Sequence, residues 1–384
     1  MISKANRLNN VKEYYFSTKL REVNQLKADG KPIINIGIGS PDLQPPKEVL
    51  NAMQKSLETS SIHGYQSYQG LPEFRFAVTE FYQRNYNVNV NPSNEILPLM
   101  GSKEGIMHIS MAFLNSGDEV LIPNPGYPTY ASVTNLMEAT PVYYDLSQKT
   151  NWFPDLEALS KKDLSRVKIM WINYPHMPTG VKATLEQFER LISFAKKHEI
   201  LLVNDNPYSF VLNDNPQSIL SVSGAKEVAL ELNSLSKSFN MAGWRVGMVL
   251  GSAKNIKTVL QVKSNMDSGM FYGIQQGAIA AMNIDGSWFD KMNAMYEKRR
   301  IIAWQIFDAL NCIYDKNSTG LFVWAKIPKG KLSEEITDEL LYKKDVFLTP
   351  GTVFGSNGEG YIRLSLCIAE ERLKEVLIRV SKEM

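Results

Sequence analysis

Residues 233 to 247, N-S-L-S-K-S-F-N-M-A-G-W-R-V-G, hold several side chains that could do chemistry together. Lys237 follows the hydroxyl-bearing Ser234 and Ser236, and Arg245 comes later in the same segment. Apolar runs typical of buried strands enclose the segment, so we expect a desolvated lysine, whose neutral amine condenses with aldehydes. Hydroxyls and a guanidinium suit a phosphate. An aldehyde that carries a phosphate is pyridoxal phosphate (PLP); the alternative is a solvated loop that happens to contain these residues.

A second phosphate-binding element is predicted where a strand at 96–100 runs into Gly101, Ser102 and Lys103. An amphipathic helix follows, and the free backbone N–H groups and dipole of a helix N-terminus attract phosphate. The spelling is not that of a Walker loop, and alone it is weak evidence. Beside the lysine segment it supplies a further wall of one phosphate site.

Two further polar residues stand out against buried strands. Asp205 follows an apolar run at 200–204, and ligands of open α/β sheets bind at the carboxyl ends of strands. PLP needs a carboxylate opposite its pyridine nitrogen, which Asp205 could supply, although a strand-end turn residue is the alternative. Arg363 interrupts the apolar run 361–366, and an arginine there needs an anionic partner.

The elements that must position these residues alternate between strand and helix. This alternation predicts an α/β fold with a mostly parallel sheet covered by helices. We expect an N-terminal segment at 1–47 that joins the small domain, a large PLP-binding domain at 48–283 and a small C-terminal α/β domain at 284–384. Predicted strands lie at 33–38, 96–100, 119–122, 167–173, 200–204, 228–232, 246–250, 321–326 and 361–366, and helices at 12–29, 184–198, 252–282, 287–313 and 332–343.

Composition excludes several other classes of protein. The chain has 384 residues, 44% hydrophobic and 21% charged, and its net charge of +2 gives no case for nucleic acid or an anionic membrane. No apolar run approaches the length of a membrane helix, and the first residues do not resemble a secretory signal. Cys312 and Cys367 are the only cysteines, which fits the cytoplasm, and the four histidines lack metal-ligand spacing, so no metal is expected.

The lysine segment resembles the motif S-x-S-K-x-x-x-x-x-G-x-R-x-G of the class I/II aminotransferases, with every fixed position filled. The segments G-S-P-D, G-S-K-E-G, P-G-Y-P and P-G-x-x-F-G extend this resemblance from about residue 10 to the C-terminus. The spelling is most similar to the branch that contains LL-diaminopimelate and aspartate-type aminotransferases. The resemblance implies the PLP-dependent transferase fold type I, with a seven-stranded-type sheet in the large domain, and a homodimer with shared active sites.

The resemblance also implies roles for residues. Lys237 would bind PLP covalently and act as general base, Asp205 would face the ring nitrogen, and Tyr208 would donate to the ring oxygen. The phosphate would be held by Gly101, Ser102, Lys103, Ser234, Ser236 and Arg245.

Four more positions have weaker support from the residues themselves. The resemblance implies that Tyr127 stacks on the pyridine, that Tyr65 reaches the PLP phosphate of the partner subunit, and that Gly39 and Arg363 hold the substrate α-carboxylate. Without it, the two tyrosines could be packing residues. The glycine could be a plain strand exit, and the arginine could belong to a structural salt bridge.

One position departs from the family pattern. Where relatives have N-P-x-N-P-T-G, this chain has Y-P-H-M-P-T-G, so Met177 replaces the asparagine that donates to the ring oxygen. A thioether cannot donate a hydrogen bond. Either His176 or Asn173 replaces the contact, or the ring is held without it.

The function expected from these observations is PLP-dependent transfer of an amino group between an L-amino acid and a 2-oxo acid, with 2-oxoglutarate and glutamate as one pair. Kinetics should be ping-pong. Two alternatives remain open: another PLP chemistry on this fold, such as a C–S β-lyase, and a non-catalytic relative. The amino acid substrate is not encoded in the motifs.

Overall fold

The computed structural model describes residues 2–381 and is built around a seven-stranded sheet. Six strands point the same way, and Gly247–Gly251 runs antiparallel to both of its neighbours. The predicted fold class, α/β with a mostly parallel seven-stranded sheet, is confirmed. In spatial order the strands are Ile96–Leu99, Gly247–Gly251, Ala229–Ser234, Leu201–Asp205, Val167–Ile172, Glu119–Asn124 and Thr140–Asp145.

Two smaller sheets come from the chain ends. A four-stranded antiparallel sheet contains, in order, Thr349–Pro350, Tyr361–Ser365, Phe322–Lys326 and Ile313–Tyr314. A two-stranded parallel sheet pairs Ile34–Asn35 with Val346–Phe347, so the N-terminal segment packs against the C-terminal part of the chain. The three-part division of the chain stays a prediction, and its ends, Met1 and residues 382–384, lie outside the described residues.

Helices cover the large sheet and flank the small ones. The stretch 252–282, predicted to be mostly helical, contains two helices with a loop between them, and the edge strand Thr140–Asp145 was not predicted because most of its residues are not buried. The α-helices are Tyr15–Ala28, Lys47–Ser56, Pro72–Tyr86, Ser102–Phe113, Thr129–Leu136, Leu156–Ser160, Leu185–His198, Leu235–Ser238, Ala253–Lys263, Tyr272–Met282, Ser287–Ala309, Ser333–Lys344 and Glu370–Ser381.

Local sequence explains where several helices begin. Thr184 and Gln187 form a capping box at the start of Leu185–His198, which satisfies two backbone donors that the helix leaves free. Pro72 occupies the first turn of Pro72–Tyr86, where its missing N–H costs nothing. The helices that begin at these positions lie beside the large sheet, whose central strands are buried on both faces.

Within residues 2–381, we find no helix with the length and apolar character needed to cross a membrane.

Candidate active site

A cavity of about 520 Å³ lies where parallel strands of the large sheet end, at Asp205 and Ser234. Arg363, from the four-stranded sheet, forms part of its opposite wall. The cavity brings together most of the predicted site residues. They are Gly39, Ser102, Lys103, Tyr127, Asn173, Asp205, Tyr208, Ser234, Ser236, Lys237, Arg245 and Arg363.

The predicted phosphate end is a set of short polar contacts. The Ser234 hydroxyl donates to the Ser236 hydroxyl over 2.8 Å and accepts from the Ser236 backbone N–H over 3.1 Å. Arg245 has a left-handed backbone, with φ of 56°, and its Nη1 donates to the Ala242 carbonyl over 2.9 Å. Gly101 lies behind this arginine, and a Cβ there would come within 2.2 Å of Nη2. A side chain at residue 101 would therefore require the end of the arginine side chain to move, and the φ of 90° at this position also favours glycine.

Lys237 lies between the two ends of the cavity. Its Nζ donates to the carbonyl oxygen of Gly39 over 2.6 Å. Burial lowers the pKa of the Lys237 amine, and the positive charges of Arg363 and Arg245 lower it further. A lysine in this setting is closer to the neutral, nucleophilic form than an exposed one.

Asp205 is a buried carboxylate with one free oxygen. Oδ2 accepts from the Tyr130 hydroxyl over 2.9 Å, whereas Oδ1 has no hydrogen-bond partner. Burial raises the pKa of Asp205 to about 7, and the Tyr130 hydrogen bond opposes that rise. The N–H of a protonated pyridine would supply the donor that Oδ1 lacks, so this residue fits the predicted cofactor.

Arg363 is a buried cation without a carboxylate. Its Nη2 donates to the Gly37 carbonyl over 2.8 Å, its Nε has no partner, and its Nη1 lies 3.3 Å from the Met177 sulfur. The guanidinium carbon lies 3.8 Å from the ring centre of Phe322 and 4.6 Å from that of Phe354. Burial lowers the pKa of Arg363 to about 10. Across residues 2–381 no acidic group forms a salt bridge with it, which removes the structural alternative there.

The region of the predicted ring oxygen contains Met177 itself. Asn173 also lines the cavity, but its Nδ2 donates to the Asp205 carbonyl and its Oδ1 accepts from the Met177 backbone N–H over 2.7 Å. His176 is not part of the cavity wall, and its Nδ1 is 2.8 Å from the Thr179 hydroxyl. Of the groups considered for replacing the missing asparagine, Asn173 and Tyr208 border the cavity and His176 does not.

The two remaining aromatic predictions lie in different surroundings. Tyr127 lines the cavity and packs edge-on against Tyr130, with ring centres 5.5 Å apart. Tyr65 is 94% exposed and does not line this cavity. Its position leaves the predicted contact with a partner subunit open.

Several residues of the site were missed by the sequence reasoning. Tyr130, which donates to Asp205 but does not line the cavity, follows Tyr127 in the same P-G-Y-P-T-Y segment, which was the available signal. The apolar wall near Arg363 comes from distant segments that carry no local signal. It includes Tyr14, Phe16, Leu20, Ile38, Phe322 and Phe354.

Comparisons with known proteins identify the family of this chain. The model of the family described as aminotransferase class I and II matches residues 31–380. An LL-diaminopimelate aminotransferase of Dehalococcoides mccartyi is 40% identical over 98% of this chain and 97% of its own length. The structure titled apo-BacF from Bacillus subtilis has a TM-score of 0.95 and 34% identity, covering 99% of this chain and 98% of that chain. A mutant aspartate aminotransferase of Thermus thermophilus has a TM-score of 0.91 and 25% identity, covering 99% of each chain.

This chain belongs to the class I and II aminotransferase family. Its structural neighbours are aminotransferases of fold type I, and the predicted activity, amino-group transfer, is confirmed at this level. The branch predicted from motif spelling is confirmed as well, because LL-diaminopimelate aminotransferases are among its relatives.

Proposed function

We propose that this aminotransferase holds PLP in the cavity described above and uses 2-oxoglutarate and glutamate as one of its substrate pairs. The observation that carries the proposal is the composition of a single cavity. It contains a lysine whose pKa is lowered, Lys237, a buried carboxylate with a free oxygen, Asp205, and a buried arginine with a free Nε, Arg363. An amine, an electron-sink partner and a carboxylate anchor are what amino-group transfer requires.

The residues fit PLP in the following way. Lys237 would bind the aldehyde, Asp205 would accept from the ring nitrogen, and Tyr127 would pack on the ring. Tyr208 and Asn173, which border the cavity, would be the polar groups available to the ring oxygen. The phosphate would be held by Ser102, Ser234, Ser236, Arg245, the Lys103 amine or backbone, and the N–H of Gly101. When bound, PLP supplies an electron sink conjugated to the Cα of the substrate.

The chain itself binds the substrate and moves the proton. Arg363 and the backbone at Gly39 hold the α-carboxylate, which orients the Cα–H bond toward Lys237. The neutral Lys237 amine would take the proton from Cα and later donate it to the C4′ carbon of the cofactor. Asp205, as a carboxylate, keeps the ring nitrogen protonated throughout. Two such half-reactions with two substrates give ping-pong kinetics.

We further propose a homodimer in which each subunit completes the site of the other. Support comes from Tyr65, which is 94% exposed beside the 44% exposed Tyr68. The backbone at Gly269 packs closely against the loop that carries Tyr65, since a Cβ at Gly269 would lie 2.5 Å from the Gln66 carbonyl. Two exposed tyrosines on one loop fit a protein interface.

Mixed dimers test this arrangement. Lys237→Ala and Tyr65→Ala subunits should each be inactive alone, whereas the mixture should regain activity, because one of the two sites in the hybrid has both residues intact. We expect activity to return at up to about half of the active sites in the hybrid dimers. If subunits exchange, as followed by mass spectrometry of tagged chains, and activity does not return, the shared site is wrong.

A single-turnover assay tests the reaction. PLP-loaded protein is mixed with glutamate, aspartate, LL-diaminopimelate, leucine or phenylalanine, without any 2-oxo acid, and the products are identified. We expect stoichiometric formation of the 2-oxo acid and pyridoxamine phosphate, followed by full turnover only when 2-oxoglutarate is added. With cystathionine added to the same panel, continuous release of pyruvate, ammonia and a thiol without an acceptor would instead identify a C–S β-lyase, and absence of product from every amino acid tested would count in favour of a non-catalytic relative.

A further inference from the structure

Beneath the cavity lies a buried carboxylate, Glu231, that has no role in the chemistry proposed above. Its side chain is 0% exposed, and four donors surround it. The Tyr82 and Ser218 hydroxyls each donate to Oε1 over 2.9 Å. The Ile219 N–H and the Asn204 amide donate to Oε2 over 3.0 and 3.4 Å. No lysine, arginine or histidine in residues 2–381 forms a salt bridge with this carboxylate, so these donors alone compensate its burial.

One path of hydrogen bonds leads from Glu231 to the serines of the phosphate end. The Tyr82 oxygen accepts from Asn233 Nδ2 over 2.9 Å, which orients the amide. Asn233 Oδ1 then accepts from the Ser234 backbone N–H over 2.7 Å. Ser234 in turn accepts from the Ser236 N–H. Glu231 is therefore connected to both serines through Tyr82 and Asn233.

A second path leads from the same carboxylate to the strand end that carries Asp205. Asn204, directly before Asp205, donates to Glu231 and accepts from the Tyr174 N–H over 3.0 Å. The Asp205 carbonyl accepts from the Asn173 amide. The neighbouring ends of two parallel strands thus share one buried anchor.

We propose that Glu231 is a positioning residue for the cofactor. It fixes the strand end that carries Asp205 relative to the strand end that carries Ser234. This sets the distance between the Asp205 carboxylate, which would face the ring nitrogen, and the serine hydroxyls, which would hold the phosphate. PLP is a small and nearly rigid molecule, so both of its ends bind well only when that separation is right. This inference rests on the proposed cofactor site.

Two hydroxyl variants form a matched pair for the test. Tyr82→Phe and Ser218→Ala each remove one hydroxyl that lies 2.9 Å from Glu231 Oε1, but only Tyr82 continues to Asn233. We expect Tyr82→Phe to raise the dissociation constant of PLP from the apo protein roughly tenfold. Ser218→Ala should change it less than about twofold, although both variants should lower the urea midpoint to a similar degree.

Glu231→Gln provides a stronger perturbation at the same size. It removes the charge and places an NH2 group among donors, so PLP affinity should fall more than in Tyr82→Phe. The pH midpoint of the visible absorbance of the PLP-loaded protein should also shift in Glu231→Gln and Tyr82→Phe, but not in Ser218→Ala. A purely structural role would lower stability without moving this midpoint.

The outcomes separate this inference from the proposed function. If the unmodified protein binds PLP but the two hydroxyl variants have equal dissociation constants, the positioning role is overturned and the cofactor site stands. If the unmodified protein does not bind PLP, the proposed function fails and this inference fails with it. Should Glu231→Gln not fold, the hydroxyl pair alone decides.

Discussion

The phosphate end and the carboxylate end of the cavity are built in different ways. At the phosphate end, Ser234, Ser236 and Arg245 come from one short segment, and their polar atoms bond to one another or to the backbone. At the other end, Arg363 is buried among aromatic rings and keeps an unpartnered Nε. The first end is held together by contacts within its own segment, whereas the second keeps a buried N–H donor to which an anion can bind.

The two ends are therefore suited to different tasks: the phosphate end to holding the cofactor, and the carboxylate end to selecting the substrate. A cradle of short contacts can bind a permanent cofactor with little reorganisation. A buried cation without an anionic partner favours any ligand that supplies a carboxylate, because pairing recovers part of the cost of its burial. Cation–π contacts with Phe322 and Phe354 lessen that cost, by about 0.5–2 kcal/mol for one contact, without replacing the anion.

The largest effect is expected at Lys237, which lies between the two ends. Lys237→Ala should reduce amino-group transfer at least about 10³-fold, because it removes both the nucleophile and the base. Borohydride reduction of the PLP-loaded protein followed by peptide mapping should label Lys237. A label on Lys103, the other lysine of the cavity wall, would contradict the assignment.

Removing the carboxylate anchor should have the next largest effect. Arg363→Ala should cost about 2–5 kcal/mol in kcat/KM for every amino acid, because a charge-assisted pair is lost, while PLP stays bound. Arg245→Ala is the matched control from the opposite end and should weaken PLP instead. A fall in kcat/KM below about threefold in Arg363→Ala would be too small for an anchor.

The pH dependence of stability should report on Asp205. In the folded apo protein its pKa is raised from 3.8 to about 7, so the unfolded chain loses this proton first. The stabilising contribution is therefore complete below about pH 4 and is lost as the pH rises to about 7 and above, amounting to about 2–4 kcal/mol.

Urea unfolding of the apo protein between pH 4 and pH 8, compared with Asp205→Asn, measures this contribution. The difference in the free energy of unfolding between the two proteins should change with pH in the stated direction. This change should be smaller when PLP is bound. A difference that is constant across this range would show that Asp205 is already ionised in the folded protein.

The smallest effect is expected at Met177, whose sulfur lies 3.3 Å from Arg363 Nη1 at the carboxylate end. The imine that links Lys237 to PLP should lose its proton at a higher pH than in Met177→Asn, because the methionine cannot donate to the ring oxygen. The difference should be about one to two pKa units, the size of one charge-assisted hydrogen bond. Spectrophotometric pH titration of both proteins measures it. An equal or higher pKa in Met177→Asn would mean that Tyr208, Asn173 or a water already donates there.

The phosphate end could be predicted from the chain because its residues are close in sequence. A lysine with serines before it and an arginine after it, enclosed by two apolar runs, already indicates a polar loop between buried strands. Gly101 could be predicted for the same reason, because the strand, the turn and the helix around it are consecutive in the sequence. Even there, the contact between Gly101 and Arg245 joins two segments and was not visible in the letters.

The α/β fold, the family and the chemistry of the lysine segment could be predicted from the chain, because strand and helix periodicity and short motifs are local properties. The surroundings of Arg363, the free oxygen of Asp205 and the connection of Asp205 to Ser234 through Glu231 became visible only in the folded protein. Those features depend on the order of strands in the sheet and on the packing of the chain ends against it. Residues far apart in sequence meet there, and no short segment records which of them become neighbours.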